Sequence, residues 1–173
     1  MKSTCLTLAT LLAIASFSVA WTDEPPPAVS KPAAPTVDQA RRQAEILNDT
    51  LCATLQIVHH RYYREDEGLP LPAAVFKDVF AEIELQQGIK LRWLAVEGQV
   101  MNTDHNPQDE FEHAAVKALK AGQPAYEQTT SDTYRRAGPV TLTNVCLKCH
   151  VPDRKSTKDR TAGLIIAIPV RGG

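Results

Sequence analysis

Apolar residues first recur at helical spacing between Asp38 and about Arg64, where Ala44, Leu47, Leu51, Leu55, Val58 and Tyr62 stand three and four apart. At about 100° per residue they share one stripe, which predicts an amphipathic helix. Glu65-Asp66-Glu67-Gly68 breaks the pattern, and Leu69-Pro70-Leu71-Pro72 makes a stiff connection. A second helix is predicted from Ala73 to about Gln87, with Val75, Phe76, Val79, Phe80 and Ile83 inward and Gly88 as its C-terminal cap. Ile89 to Val96 alternates and is rich in β-formers, which predicts a strand. A third helix spans about Gln108 to Lys120, entered through Asn106-Pro107 and stopped by Gly122. Tyr126 to Thr130 and Thr133 to Arg136 read as a hairpin, and Gly163 to Val170 as a buried strand. Helices followed by an antiparallel sheet with helical insertions is an α+β order.

The chain before this region has a different character. Lys2 precedes an apolar run through Leu6, Leu8, Leu11, Leu12, Ile14 and Phe17, and Ser18-Val19-Ala20 has the form of a signal-peptidase site. A membrane anchor needs about 20 apolar residues, and this run is shorter and broken by threonines and serines. Residues 1–20 are therefore expected to be a secretory signal, with no membrane span left after its cleavage, and the protein to be periplasmic or otherwise exported. Residues 21–37, with Pro25, Pro26, Pro27, Pro32 and Pro35, read as an extended Pro/Ala linker. The folded domain is expected over 38–173.

Composition narrows the field. Nineteen basic and 20 acidic residues leave a net charge of −1, so no strong field points to nucleic acid or an anionic membrane as a partner. A mature chain of roughly 150 residues buries an adequate core without disulfides.

The chemistry concentrates in Cys146-Leu147-Lys148-Cys149-His150. CxxCH is the attachment signal for haem c: each thiol forms a thioether with a vinyl group, and the histidine ligates the iron. A closed zinc site would need four ligands, usually from a second Cys/His pair; the other cysteines, Cys5 and Cys52, stand alone. A redox-active CxxC pair usually opens a helix of a βαβ unit, whereas this one follows a polar, turn-rich segment. Export and covalent haem attachment agree with each other, and if Cys5 leaves with the signal, Cys52 remains as an odd thiol, most simply a buried one.

His150 is the proximal ligand in this reading. Candidates for the distal position are His59, His60, Cys52, His105, His113 and Met101. On the first helix His59 lies about 80° from the centre of the apolar stripe, Cys52 about 100°, and His60 nearly opposite, which favours His59. His105 in its turn and His113 beside Glu112 read as solvated or hydrogen-bonded histidines, and Met101, after a strand, as core. The basic run Arg154, Lys155, Lys158 and Arg160 could meet haem propionates or an acidic redox partner, with a solvated loop balanced by Asp153 and Asp159 as the duller reading. Arg92 and Trp93 could face the macrocycle or fill the core, and the packing reading is favoured.

Taken together, these motifs resemble the haem-c-binding, PAS-like domain family whose prototype is a small cyanobacterial Tll-type protein. The resemblance runs from about Asp38 to Val170 and rests on five features: the long N-terminal helix, the segment Met101 to Glu112 with its Asn-Pro turn and Phe-Glu pair, a polar hairpin, the CxxCH, and the closing Gly-apolar strand ending in Pro169. It implies a PAS-like antiparallel sheet, one haem c, and a distal ligand from the first helix, a role that a cysteine can fill in that family. The segment Arg61 to Gln87 is longer than usual, and Val151-Pro152 stands where a glycine is common.

The functional expectation is an exported monohaem, c-type cytochrome-like protein acting in electron transfer with a redox partner protein, or in redox or small-ligand sensing, including of a gas. No output domain is read after Gly173, which tilts the expectation towards electron transfer. A peroxidase-type haem enzyme would need a distal acid/base pair; His59 or His60 could supply the base, but no distal arginine motif accompanies them, so no enzymatic activity is assigned. A non-haem, metal-stapled PAS-like module is the remaining alternative.

Overall fold

The computed structural model describes residues 33–98, 100, 102–151 and 155–171. The expected signal and most of the linker lie outside the described residues, as do Cys5, Met101, Asp153 and Arg154. Three long helices and four strands follow in chain order: α1 Val37–Tyr62, α2 Pro72–Gln87, β1 Lys90–Leu94, α3 Glu110–Lys120, β2 Tyr126–Thr129, β3 Thr133–Leu142 and β4 Arg160–Pro169. A single helical turn, α4 Leu147–His150, sits between β3 and β4, and Thr103–His105 forms a 3-10 turn between β1 and α3.

The strands form one antiparallel sheet in the order β1-β4-β3-β2. The fold is thus α+β and PAS-like. β4 pairs with β1 on one side and with the full length of β3 on the other, from Thr133↔Pro169 to Leu142↔Arg160. Successive residues of a strand point to opposite faces, and in β4 both faces are buried: Leu164, Ile166 and Ile168 join Leu51, Phe76, Phe80 and Trp93 of one core, while Ile165 joins Phe111, Ala115 and Leu119 of another. Hence α1 and α2 cover one face and α3 the other. This two-sided burial is why Gly163 to Val170 reads as a continuous apolar run instead of an alternation.

α1 starts at a capping box, in which Gln39 N–H donates to Thr36 Oγ1 at 3.3 Å and Thr36 N–H to Gln39 Oε1 at 2.9 Å, satisfying two otherwise orphaned donors. Its buried residues are Ala40, Ala44, Asn48 and Leu51. The helix lies so close to β3 that a Cβ at Gly138 would fall 2.1 Å from Asn48 Oδ1. The expected stripe is therefore shifted: Tyr62 is exposed and Leu47, Leu55 and Val58 are half-buried, because the last turns of α1 run past the sheet's packed area.

In α2 only Phe76 and Phe80 of the expected inward set are buried, and Ile83 is partly so. Val75 and Val79 face solvent; the helix rests on the sheet through two aromatics, which pack on Trp93 at centroid distances of 6.1 and 5.0 Å and leave the neighbouring valines outside. β3 runs to Leu142, past the expected end at Arg136. Gly138-Pro139 looks like a break, but β2 stops pairing at Ala137, so beyond it β3 has one neighbour and a proline can turn its missing N–H to the open side.

An ion-pair cluster closes the end of the sheet opposite to the cysteine turn. Glu127 takes a hydrogen bond from Arg41 Nε at 2.9 Å and another from Arg136. Burial pushes the Glu127 carboxyl up, but Arg41, Tyr134 and Arg136 outweigh it and hold the carboxyl below its ordinary value. A carboxyl with a depressed folded pKa adds stability above its unfolded pKa and loses it as pH falls through the folded one. Glu127→Gln should therefore lower stability near neutral pH by about 1 kcal/mol and lose its effect in acid. Denaturant midpoints of both proteins across the acid range check this; a gap independent of pH contradicts it.

Candidate functional site

β3 delivers the chain to the cysteine turn. After Leu142, Thr143 C=O accepts from Leu147 N–H at 3.1 Å, Cys146 C=O from His150 N–H at 3.1 Å, and Leu147 C=O from Val151 N–H at 3.0 Å, so residues 146–150 wind as one helical turn. Positions 146, 149 and 150 fall on one side of such a turn, since residues three and four apart are helix neighbours. Leu147, between the cysteines, is fully buried and anchors the turn to the core. Cys146 is a free thiol, its Sγ 3.6 Å from Thr143 Oγ1.

The turn forms one wall of a cavity of about 570 Å³. From the turn come Val145, Cys146 and His150; from α1 Leu55, Gln56, His59 and His60; from the start of α2 Leu71, Ala73 and Lys77; from the end of β3 Val140 and Leu142; and from the 3-10 turn Asn102 and His105. A smaller pocket of about 70 Å³ shares His105, His150, Leu55 and Leu142 and reaches Trp93, Leu94 and Glu97. A third space of about 470 Å³ shares His59, His60 and Val145 and extends to Tyr63, Arg64 and Lys148. The walls of the 570 Å³ cavity are largely apolar, with imidazoles, one thiol, Lys77 and the amides of Gln56 and Asn102 among them.

Burial favours neutral imidazoles here. His150 is pushed down by desolvation and then by the charge of His59; His59 by desolvation and then by His60; His105 by desolvation, then Lys77, His150 and Arg92. The neutral ring is the form that ligates a metal. Among the described residues no group of three His, Cys, Asp or Glu side chains is placed to hold a metal ion unaided.

Of the residues singled out from sequence, the fold brings Cys146, His150, His59, His60 and His105 together at one cavity. The backbone of Cys149 lies in the same turn. Cys52 is elsewhere: it packs with the α1 side of the core, its Sγ 4.0 Å from the Pro139 carbonyl, and burial raises its pKa to about 11. His113 is exposed on α3, across the sheet from the cavity. Lys155 and Lys158 are exposed, and Arg160 bonds back to the Lys158 carbonyl at 3.0 Å. Trp93 is buried, its Nε1 donating to Ala73 C=O at 3.1 Å, as expected of a packing residue.

His105 departs from its expected solvated state. It is half-buried, and its Nε2 is buried without a hydrogen-bond partner. The turn carrying it is clamped by Arg92, whose guanidinium donates to the carbonyls of Asp104 and of Asn106 (3.1 Å) and pairs with Glu112, a carboxylate only 2% exposed. Glu112 also accepts from Gln108 N–H at 2.8 Å and from Arg135 at 3.4 Å. No sequence signal pairs Arg92 with Glu112, since they lie on a strand and a helix joined by a long connection.

Gly98 locks a second approach. Its φ of +91° suits glycine, and a Cβ there would lie 2.8 Å from Val151 Cγ2 and 3.1 Å from His150 O. Gly98→Ala should cost about 1–3 kcal/mol and displace the His150 end of the turn, measurable as a fall in Tm; an unchanged Tm contradicts the close contact. Cys52, its thiol protonated and enclosed, should resist alkylation in the folded Cys146→Ala/Cys149→Ala protein and react on unfolding, as followed by mass spectrometry. Prompt native labelling would place Cys52 at the surface.

Comparison with known proteins finds no match among functionally curated ones. Among solved structures the crystal structure of the cyanobacterial haem protein Tll0287 is similar at 20% identity over 79% of this chain and 94% of that chain, with a TM-score of 0.45. The Tll0287-like family matches residues 33–165, most of the chain and every residue that lines the cavity, and the protein belongs to that family.

Proposed function

We propose that this protein is a haem-binding protein that carries one covalent haem c and acts, after export, in electron transfer or redox sensing with a partner protein. The observation that carries the reading is the CxxCH turn forming the wall of a largely apolar cavity, with His150 half-buried at that wall. The residues suit the group. A cavity of about 570 Å³ lies within the roughly 300–1,000 Å³ of cofactor sites. Leu55, Leu71, Val140 and Leu142 offer apolar surface, Cys146 is a free thiol, and an unpartnered imidazole nitrogen of His105 is buried at the same cavity.

Cys146 and Cys149 would hold the macrocycle through thioethers, each thiol adding across one vinyl group, and His150 would ligate the iron. When bound, the group supplies a one-electron ferric/ferrous couple. The chain's own part is to offer apolar walls and to favour the neutral form of His59, His105 and His150. The signal-like residues 1–20 support export, because thioether formation at a CxxCH belongs outside the cytoplasm. That the cyanobacterial relative is described as a haem protein accords with the reading.

Expression with a haem-maturation system tests it. The intact protein should give a c-type pyridine haemochrome that survives acid-acetone extraction, and Cys146→Ala/Cys149→Ala should lose all covalent haem. Extractable haem in the intact protein, or covalent haem in the double variant, refutes the attachment.

A further inference from the structure

We propose that Lys77, in the second turn of α2, is the cation that receives a propionate carboxylate of the haem at the cavity of about 570 Å³; this rests on the haem reading above and deepens it. Haem carries two carboxylates on the edge of the macrocycle opposite its vinyl groups. With the vinyl edge tethered at the cysteine turn, the carboxylate edge is left to meet the other walls. A carboxylate taken from water without a counter-charge is costly. Lys77 is the one lysine, arginine, aspartate or glutamate among the described residues that line this cavity. Arg64 and Lys148 line the adjoining space instead, which neither Cys146 nor His150 lines, and Arg92 is committed to Glu112 and to the carbonyls of Asp104 and Asn106.

The aromatic side of α2 sets where Lys77 stands. Trp93 Nε1 donates to the Ala73 carbonyl at 3.1 Å, and Phe76 and Phe80 pack on the same indole, which fixes the first turns of the helix against the sheet. Residues three and four apart are helix neighbours, so Ala73 and Ala74 share a face with Lys77. Both line the cavity with it, and their short side chains leave room beside the lysine stem. Such a stem lies along apolar surface while its ammonium stays at a polar rim. Gln56 and Asn102 bring amide groups to the same cavity, donors that a carboxylate also accepts.

Lys77 Nζ pairs with Asp104 Oδ2 at 3.2 Å, the two side chains being 49% and 70% exposed. An ion pair so exposed contributes at most about 1 kcal/mol, so Asp104 keeps the ammonium at the rim without locking it there. A propionate can share that ammonium or take it over, since Lys presents a point charge with three donors. A cation beside the haem also stabilises the ferrous state, which carries one positive charge less than the ferric. Lys77 thereby sets the reduction potential as well as the seating of the group.

The test uses the haem-loaded protein, with the pyridine haemochrome as a check on covalent haem, and reads the propionate bending vibration by resonance Raman spectroscopy together with the midpoint potential. Lys77→Met should keep its covalent haem and its Tm, shift the propionate vibration and lower the potential, and Lys77→Arg should restore both readings. Asp104→Asn, which removes the carboxylate paired with Lys77, should leave the vibration in place and not lower the potential. Lys77→Gln supplies a second uncharged variant, expected to lower the potential as Lys77→Met does. An unshifted propionate vibration in both Lys77→Met and Lys77→Gln overturns the proposal. So does a shift in Asp104→Asn equal to that in Lys77→Met, which would make Lys77 a support of the 3-10 turn alone. Either result leaves the haem reading standing; absence of covalent haem from the intact protein refutes that reading, and the proposal with it.

Discussion

Everything in this fold is built on the burial of β4 from both sides. A strand flanked by two others and covered on both faces loses almost all of its water, and only a near-continuous apolar sequence tolerates that. Leu164, Ile166 and Ile168 take α1 and α2, while Ile165 takes α3. Each Å² of apolar surface so buried contributes about 25 cal/mol. It also dictates register, because a slip by one residue would exchange the two faces.

The site forms where this packing runs out. β3 leaves the sheet at Leu142 and α1 overruns it beyond Leu51, so the two continue past the core with space between them. Two anchors shape that space by different physics. Leu147 holds the cysteine turn by apolar burial, which is non-directional and tolerates small rotations. Arg92 and Glu112 hold the His105 turn by charge-assisted hydrogen bonds, which fix direction as well as distance.

The buried Glu112 has a cost that this directional role accounts for. Removing one partner of such a pair typically destabilises by about 3–5 kcal/mol, yet an apolar replacement of the whole set is often neutral. Stability alone therefore does not explain why a carboxylate 2% exposed sits beneath α3 with Arg92 and Arg135 around it. Through Arg92 the pair also fixes the carbonyls of Asp104 and Asn106.

Local rules carried most of what was legible in the chain. Helical spacing gave α1 and α2, Gly88 and Gly122 marked helix ends, and the apolar run gave β4, because each signal lies within a few residues and depends on backbone geometry. Spacing also placed His59 on the flank of α1, where it meets the cavity. Other choices belonged to the tertiary structure. Whether Cys52 or His59 faces the cavity depends on how α1 crosses β3, which Asn48 against Gly138 decides. The exposure of Val75 and Val79 depends on which side chains of α2 reach Trp93. The length of β3 depends on its pairing with β4 across Pro139. The placement of His105 at the cavity that His150 also lines depends on a buried ion pair between β1 and α3. In each case the deciding contact joins residues distant in sequence, and the energy that selects it exists only once the layers have packed.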